Sequence, residues 1–344
     1  MAETIRLVSP ERLTDICVHL FKAAGATADH AERTAWVLVT TSLRGVDSHG
    51  VRLVGRNVGR MLGGGITCDP DIRPLVQAGP VELWDSDFSS GLAGCLVTME
   101  RAVELAHEHG VGWVNVRNGN HNAACGTYVL RAAELGCASI CISNCNPAMA
   151  YTGTVSRSIG NNPMAWGAPG GRFPIVLDMA MSVASGGRMG MMRRRGEEMP
   201  EEWIVRHPDP TRRPVQRPFG DYKGAGLAVM NELLTGLLAG GPTLKGLGKG
   251  AGFNREIPDN VSFVNVAIDV RRLFSEEEYD QRIRRMVDEL KAAEKDDNTG
   301  EILMPGERAW LESEKRRREG IPLDEDGVRM FEETAEELGV DITW

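Results

Sequence analysis

Apolar residues recur along this chain first at helical spacing and later in short extended runs. Within the first 65 residues the period is helical. Ser9-Pro10-Glu11 is a helix start, with Ser as cap and Pro in the first turn, and Gly25 ends that helix after about Ala24. Thr27 or Asp29 opens a second helix, whose Ala31, Ala35, Leu38 and Val39 recur on one face as far as Arg44-Gly45. Residues 47–50 (DSHG) start a third, carrying Leu53, Val54, Val58 and Leu62, and the glycines at 63–65 stop it.

Beyond a Pro- and Asp-containing link at 69–80 the pattern becomes mixed. Strands are expected at 81–84, 111–116 and 137–143, extended segments at 159–167 and 174–179, and a long helix at 90–109. A shorter helix follows position 121 and stops at Gly136. Residues 184–219 are rich in Gly, Arg and Pro, with one amphipathic piece near 201–205; a loop of that length is expected to be functional or mobile. An apolar helix at 222–238, a glycine-rich connector at 246–252 and a strand at 261–270 come next. Ser275 and three glutamates cap a helix at 276–294. A brief strand at 302–304 and helices at 307–318 and 324–338 follow. Strands alternating with helices predict an α/β layer architecture.

Length and charge narrow the classes. At 344 residues two domains are expected rather than one core. A net charge of -9 disfavours a nucleic-acid binder, and the basic runs at 193–195 and 315–318 are outnumbered by nearby acids. No apolar run approaches the ~20 residues of a membrane span, and the N-terminal stretch has no basic region followed by an apolar core, so a cytoplasmic protein is expected. The seven scattered cysteines read as reduced thiols. Cys137, Cys141 and Cys145 are evenly spaced, but the first two fall on an apolar strand and lack a closed ligand set; no metal is expected.

Several chemistries are absent from the sequence. No G-x-G-x-x-G follows a first strand, the Gly-Leu-Gly-Lys-Gly run from Gly246 precedes no convincing phosphate-binding helix, and there is neither a Walker motif nor a G-x-S-x-G elbow. His121 is the centre of the remaining chemistry, on a loop after a buried strand, where open α/β sheets put their ligands. A loop histidine bonded to neighbouring backbone is the bland alternative. On an ideal helix His49, Leu53, Arg56, Asn57 and Arg60 share a face that would suit a carboxylate, because guanidinium pairs with it bidentately. Solvated surface explains the arginines equally well, and Ser48 is a natural helix cap.

Several stretches stand in a distinctive order: RGVDSHG at 44–50, Asn120-His121 with Ala123, Ala124 and Gly126, GNNPMAWGAP at 160–169, LDMA at 177–180 with Ser182, YKGAG at 222–226, and PGE at 305–307. In their order and spacing across some 260 residues the chain resembles the malate/L-lactate dehydrogenase family of the L-sulfolactate dehydrogenase type. That group includes ureidoglycolate dehydrogenase, 2,3-diketogulonate reductase and the reductases of piperideine- and pyrroline-2-carboxylate. The resemblance implies a non-Rossmann fold, with a central mixed sheet flanked by helices plus a mainly helical domain built from both ends. The expected division is 1–75, 76–220 and 221–344.

The resemblance further implies NAD or NADP as cofactor, a 2-oxo or 2-hydroxy acid as substrate, and a homodimer with its active site near the interface. His121 is then the general acid/base and His49 a second active-site histidine, with Ser48, Arg52, Arg56 and Asn57 for the substrate. Cofactor contacts would come from Asn120, Cys145, Asn161, Asn162, Pro163, Asp178, Met179, Ala180, Ser182 and Lys223, and from Gly306 and Glu307. Where relatives commonly show Arg and Tyr, this chain has Leu53 and Asn57, and Arg52 points roughly 100° away on an ideal helix. Asn161 replaces the usual Thr, and Asn122 follows the histidine. Reduction of a cyclic imine and a catalytically silent cofactor-binding homologue are the alternatives.

Overall fold

The structure is a computed structural model that describes residues 5–249, 254–296 and 300–344. In chain order the elements are β1 (Arg6–Val8), α1 (Pro10–Ala23), α2 (Ala28–Leu43), α3 (Val54–Gly63), β2 (Arg73–Ala78), β3 (Val81–Asp85), α4 (Gly91–His109), β4 (Val111–Gly119), α5 (Gly126–Glu134), β5 (Cys137–Ser143), β6 (Met164–Ala168) and β7 (Ile175–Met179). Then come α6 (Gly186–Arg194), β8 (Ile204–Val205), β9 (Val215–Gln216), α7 (Tyr222–Glu232), β10 (Val261–Asp269), α8 (Glu276–Lys291), α9 (Glu307–Glu319), β11 (Ile321–Leu323) and α10 (Glu325–Leu338).

Seven strands form one mixed sheet in the order β2-β3-β4-β10-β5-β6-β7. Among the described residues of this sheet only β3 and β4 pair in parallel; β10 runs antiparallel to both β4 and β5 and so separates them. Eight of the nine residues of β10 are buried, as expected of a central strand with both faces covered. α4 crosses β4 and β10 and buries Leu92, Cys95, Leu96, Met99, Ala102, Val103 and Ala106. The two ends of the chain meet: β1 pairs antiparallel with β11, and α10 packs on α1 and α3.

The expected division does not follow the sheet. β2 straddles the 75/76 boundary, and β10, from the last third of the chain, lies at the centre of the sheet. Several local expectations also change. The 69–80 link contains β2, an exposed edge strand that tolerates Pro74. The 184–219 loop contains α6, which Ser185 caps by accepting a bond from the Arg188 amide (3.2 Å) and which buries Met189 beside Ile204. The third helix begins as two 3-10 turns, Asp47–His49 and Val51–Leu53. α7 passes into a π-helical turn, Leu233–Leu237. Residues 302–304 are not a strand. A 3-10 turn, Leu244–Lys249, covers the first part of the 246–252 connector, and the rest lies outside the described residues.

Candidate active site

The His121 loop leaves the end of β4 under strong local restraint. Asn118 and Ala123, neither a glycine, have φ of 55° and 56°, which persists only where the surroundings over-determine the backbone. Asn120 supplies much of that restraint. Its side-chain oxygen accepts from the Arg60 guanidinium (3.1 Å) and the Asp259 amide (2.8 Å), and its nitrogen donates to the carbonyls of Gly65 (3.1 Å), Phe88 (2.8 Å) and Ser89 (2.9 Å). Gly91, the first residue of α4, lies so close that a Cβ there would sit 1.9 Å from the Asn120 carbonyl oxygen. The amide of His121 itself donates to Asp259 Oδ2 (3.1 Å).

His121 is half-buried, and its ring lies 5.9 Å from that of His49. His49 Nδ1 is 2.9 Å from the hydroxyl of exposed Ser48. Burial, then the charges of Arg56 and His49, push the His121 imidazole down to about 3, against the opposing pull of Asp259. Burial and Arg56 also lower His49, while Asp178 pulls it upward. Burial therefore favours the neutral form of both rings. Arg56 Nη2 stands 3.7 Å from Asp259 Oδ2, and the buried Arg60 forms a tighter ion pair with the same oxygen. His121, His49, Ser48 and Arg56 thus come together around Asp259 and Arg60.

A second cluster gathers the segments expected to meet a cofactor. The Cys145 amide donates to Asn162 Oδ1 (3.0 Å), and its thiol, pushed up to about 12 by burial, donates to Asn161 Oδ1 (2.9 Å). The Asn161 carbonyl accepts from the Met181 amide (2.8 Å), which ties Met179, Ala180 and Ser182 to this group. α7 starts against the same run, since a Cβ on Gly224 would lie 2.8 Å from the Met181 carbonyl oxygen. Lys223, in the first turn of α7, is exposed. Asp178 links the two clusters: its carboxylate accepts from the Gly126 amide at the start of α5 (2.9 Å) and acts electrostatically on His49. Burial raises Asp178 despite the nearby Arg44, although the residue as a whole keeps exposed surface.

Other expected contacts are committed elsewhere. Arg52 pairs with Asp324, the cap of α10. Asn57 turns its amide onto the Leu53 carbonyl of its own helix (2.8 Å). Asn162 donates to the Ala228 carbonyl (2.8 Å) and Glu232 (2.7 Å) as well as accepting from Cys145. The Pro163 carbonyl accepts from the Ser143 amide (3.1 Å), and the Ser182 hydroxyl donates to the Ala184 carbonyl (2.9 Å). Glu307 is buried, pairs with Lys291 and accepts from the Met304 amide (2.9 Å); Gly306, at φ 83°, packs on Val176 of β7.

Sequence reasoning missed Asp259 and Arg44. Asp259 reads as a turn residue before a strand, and nothing local signals that two arginines and the His121 amide converge on it. Arg44, inside the RGVDSHG stretch, reads from sequence only as a helix end. It is buried, with its guanidinium nitrogen 2.9 Å from where a Cβ on Gly126 would be.

Comparison with known proteins identifies the family. A family model described as malate/L-lactate dehydrogenase matches residues 8–331. The chain is 33% identical to a malate dehydrogenase from Pyrococcus abyssi over 97% of its own length and 95% of the relative's. It is 31% identical to a 2,3-diketo-L-gulonate reductase from Citrobacter koseri over 92% and 97%. The solved structure of sulfolactate dehydrogenase from Methanocaldococcus jannaschii aligns with a TM-score of 0.89 at 28% identity, covering 98% of each chain. With the same fold and a match running almost end to end, the chain belongs to the malate/L-lactate dehydrogenase family and is an oxidoreductase of that family.

Proposed function

We propose that this enzyme interconverts a small 2-hydroxy acid of the malate, lactate or sulfolactate kind and its 2-oxo acid, with His121 as general acid/base and NAD or NADP as the redox partner. The observation that carries the reading is the pair of imidazoles, 5.9 Å apart, beside the partly exposed Arg56. Arg56 would take the substrate carboxylate. The negative charge brought in would offset Arg56 and favour the imidazolium on His121, so that protonation follows substrate binding. His121 would then give its proton to the substrate oxygen, and its return to the neutral form is favoured by its burial. His49 and the exposed Ser48 would carry protons between His121 and water.

The second cluster fits a dinucleotide. Among the described residues exposed Lys223 forms no ion pair, and the buried Asn146 Oδ1, next to Cys145, lacks a hydrogen-bond partner. Cys145, Asn161, Asp178, Met179, Ala180, Ser182 and Lys223 would contact it, whereas Asn120, Asn162, Pro163, Gly306 and Glu307 would act by bracing the walls. Bound NAD(H) or NADP(H) would supply or accept the hydride.

Homodimer formation is part of the same proposal. Leu227, Met230, Leu237 and Leu238 on and after α7, and Trp166, Leu177 and Ile268 on the sheet, are exposed apolar residues that a second copy could cover. Among the described residues no helix is long and apolar enough to cross a membrane. A cytoplasmic location accords with the seven free cysteines.

The test is cofactor oxidation with NADH and with NADPH over a panel of 2-oxo acids and cyclic imine carboxylates. Cofactor binding without turnover on either panel would favour the silent homologue, the reading that Leu53 and Asn57 keep open. His121→Ala is expected to abolish turnover while leaving cofactor affinity nearly intact; turnover within about tenfold of the parent would remove His121 from the role.

A further inference from the structure

We propose that Asp259 is a built-in counter-ion for Arg56, which the substrate's carboxylate replaces when it binds. This inference rests on the carboxylate reading of the site and names the residue that sets its affinity. Asp259 lies just before β10, and its side chain is only 4% exposed. Its Oδ2 faces the Arg60 guanidinium, the His121 amide at 3.1 Å and Arg56 at 3.7 Å.

The two arginines differ in the way an exchange requires. Arg60, 3% exposed, also donates to Asn120 (3.1 Å) and to the Ile257 carbonyl (3.0 Å), so it is fixed. Arg56 keeps 31% of its side chain exposed and stands beyond hydrogen-bond distance from Asp259. A carboxylate offering two short charge-assisted bonds would outcompete that loose contact. Arg60 keeps Asp259 in place and charged during the exchange: burial pushes the carboxyl up, but Arg60, His121 and Arg56 together hold it below the usual carboxylate range. Asp259 is therefore a positioning residue, acting on substrate through Arg56 and on His121 through its backbone.

The consequence is counter-intuitive for a buried residue next to a catalytic loop. Asp259→Asn keeps the shape and an acceptor for the His121 amide but removes the charge that competes for Arg56. Anions should bind more tightly. Oxamate, an unreactive analogue of a 2-oxo acid, is the probe, with the neutral pyruvamide as control, each titrated against cofactor-saturated enzyme. A charge removed some 4 Å from the guanidinium is expected to raise oxamate affinity about fivefold or more, with pyruvamide unchanged. In turnover, KM for the 2-oxo acid should fall together with kcat, because Asp259 no longer supports the imidazolium of His121.

If Asp259→Asn does not fold, the double variant Arg60→Gln/Asp259→Asn removes the buried pair without leaving Arg60 unpaired, and a smaller rise in oxamate affinity is expected, because a cation near Arg56 is lost as well. Equal or weaker oxamate binding by a folded variant, or a parallel change for pyruvamide, would overturn this inference alone. Failure of the parent to bind oxamate would overturn the carboxylate reading and this inference with it.

Discussion

Replacing Asn120 by alanine separates a brace from a ligand contact. The residue is 1% exposed and its amide makes five hydrogen bonds, to Arg60, Asp259 and three carbonyls. At about 1 kcal/mol net per bond, with water partly replacing some, Asn120→Ala should destabilise the protein by about 3–5 kcal/mol. For a chain of 344 residues, with an unfolding entropy near 2.1 cal/mol/K per residue, that corresponds to a Tm about 4–7 °C lower. Turnover should fall with it, since Asn120 holds the backbone immediately before His121. Cofactor affinity, measured well below the new Tm, should change little. Chemical denaturation and calorimetry give the first number, and fluorescence titration with NADH and NADPH gives the second. A loss of stability below about 1 kcal/mol, accompanied by a large loss of cofactor affinity, would refute the reasoning and make Asn120 a direct ligand contact.

Two further outcomes follow from the same geometry. Arg52→Ala removes a partly exposed pair with Asp324, so stability should drop by about 1 kcal/mol or less and KM should stay within about twofold; a tenfold rise in KM would return Arg52 to the substrate site. His30 accepts from the Ser90 amide (3.2 Å), and burial lowers its pKa from 6.5 to about 4 despite Asp29 and Asp69. Because the unfolded chain takes up that proton first, the stabilisation is complete above about pH 6.5 and is lost as pH falls towards 4, about 3 kcal/mol in all. His30→Gln should flatten this limb of the Tm–pH curve, and an unchanged slope would exclude His30 as its source.

The elements that the sequence specified by itself are those whose signals are local. Ser9 before Pro10, Ser275 before three glutamates, and the apolar run across 137–143 each satisfy their own backbone or bury their own side chains, so their placement is nearly independent of the rest of the chain. The same holds for His121 at the end of a buried strand. Tertiary structure alone decided that β10 would separate β4 from β5, because a strand buried on both faces carries no alternation that would mark its neighbours. It also decided that an edge strand would form around Pro74, and that capping and one buried methionine would fold the glycine-rich start of α6. At the site, residue type could not separate Arg56 from Arg52 or Arg60. Each is an arginine on one short stretch; Arg52 is set apart by its acid, Asp324 from the far end of the chain, while Arg56 and Arg60 share Asp259 from the turn before β10 and differ in burial. Ion pairs of this range depend on where the backbone brings distant carboxylates, and no local period encodes that.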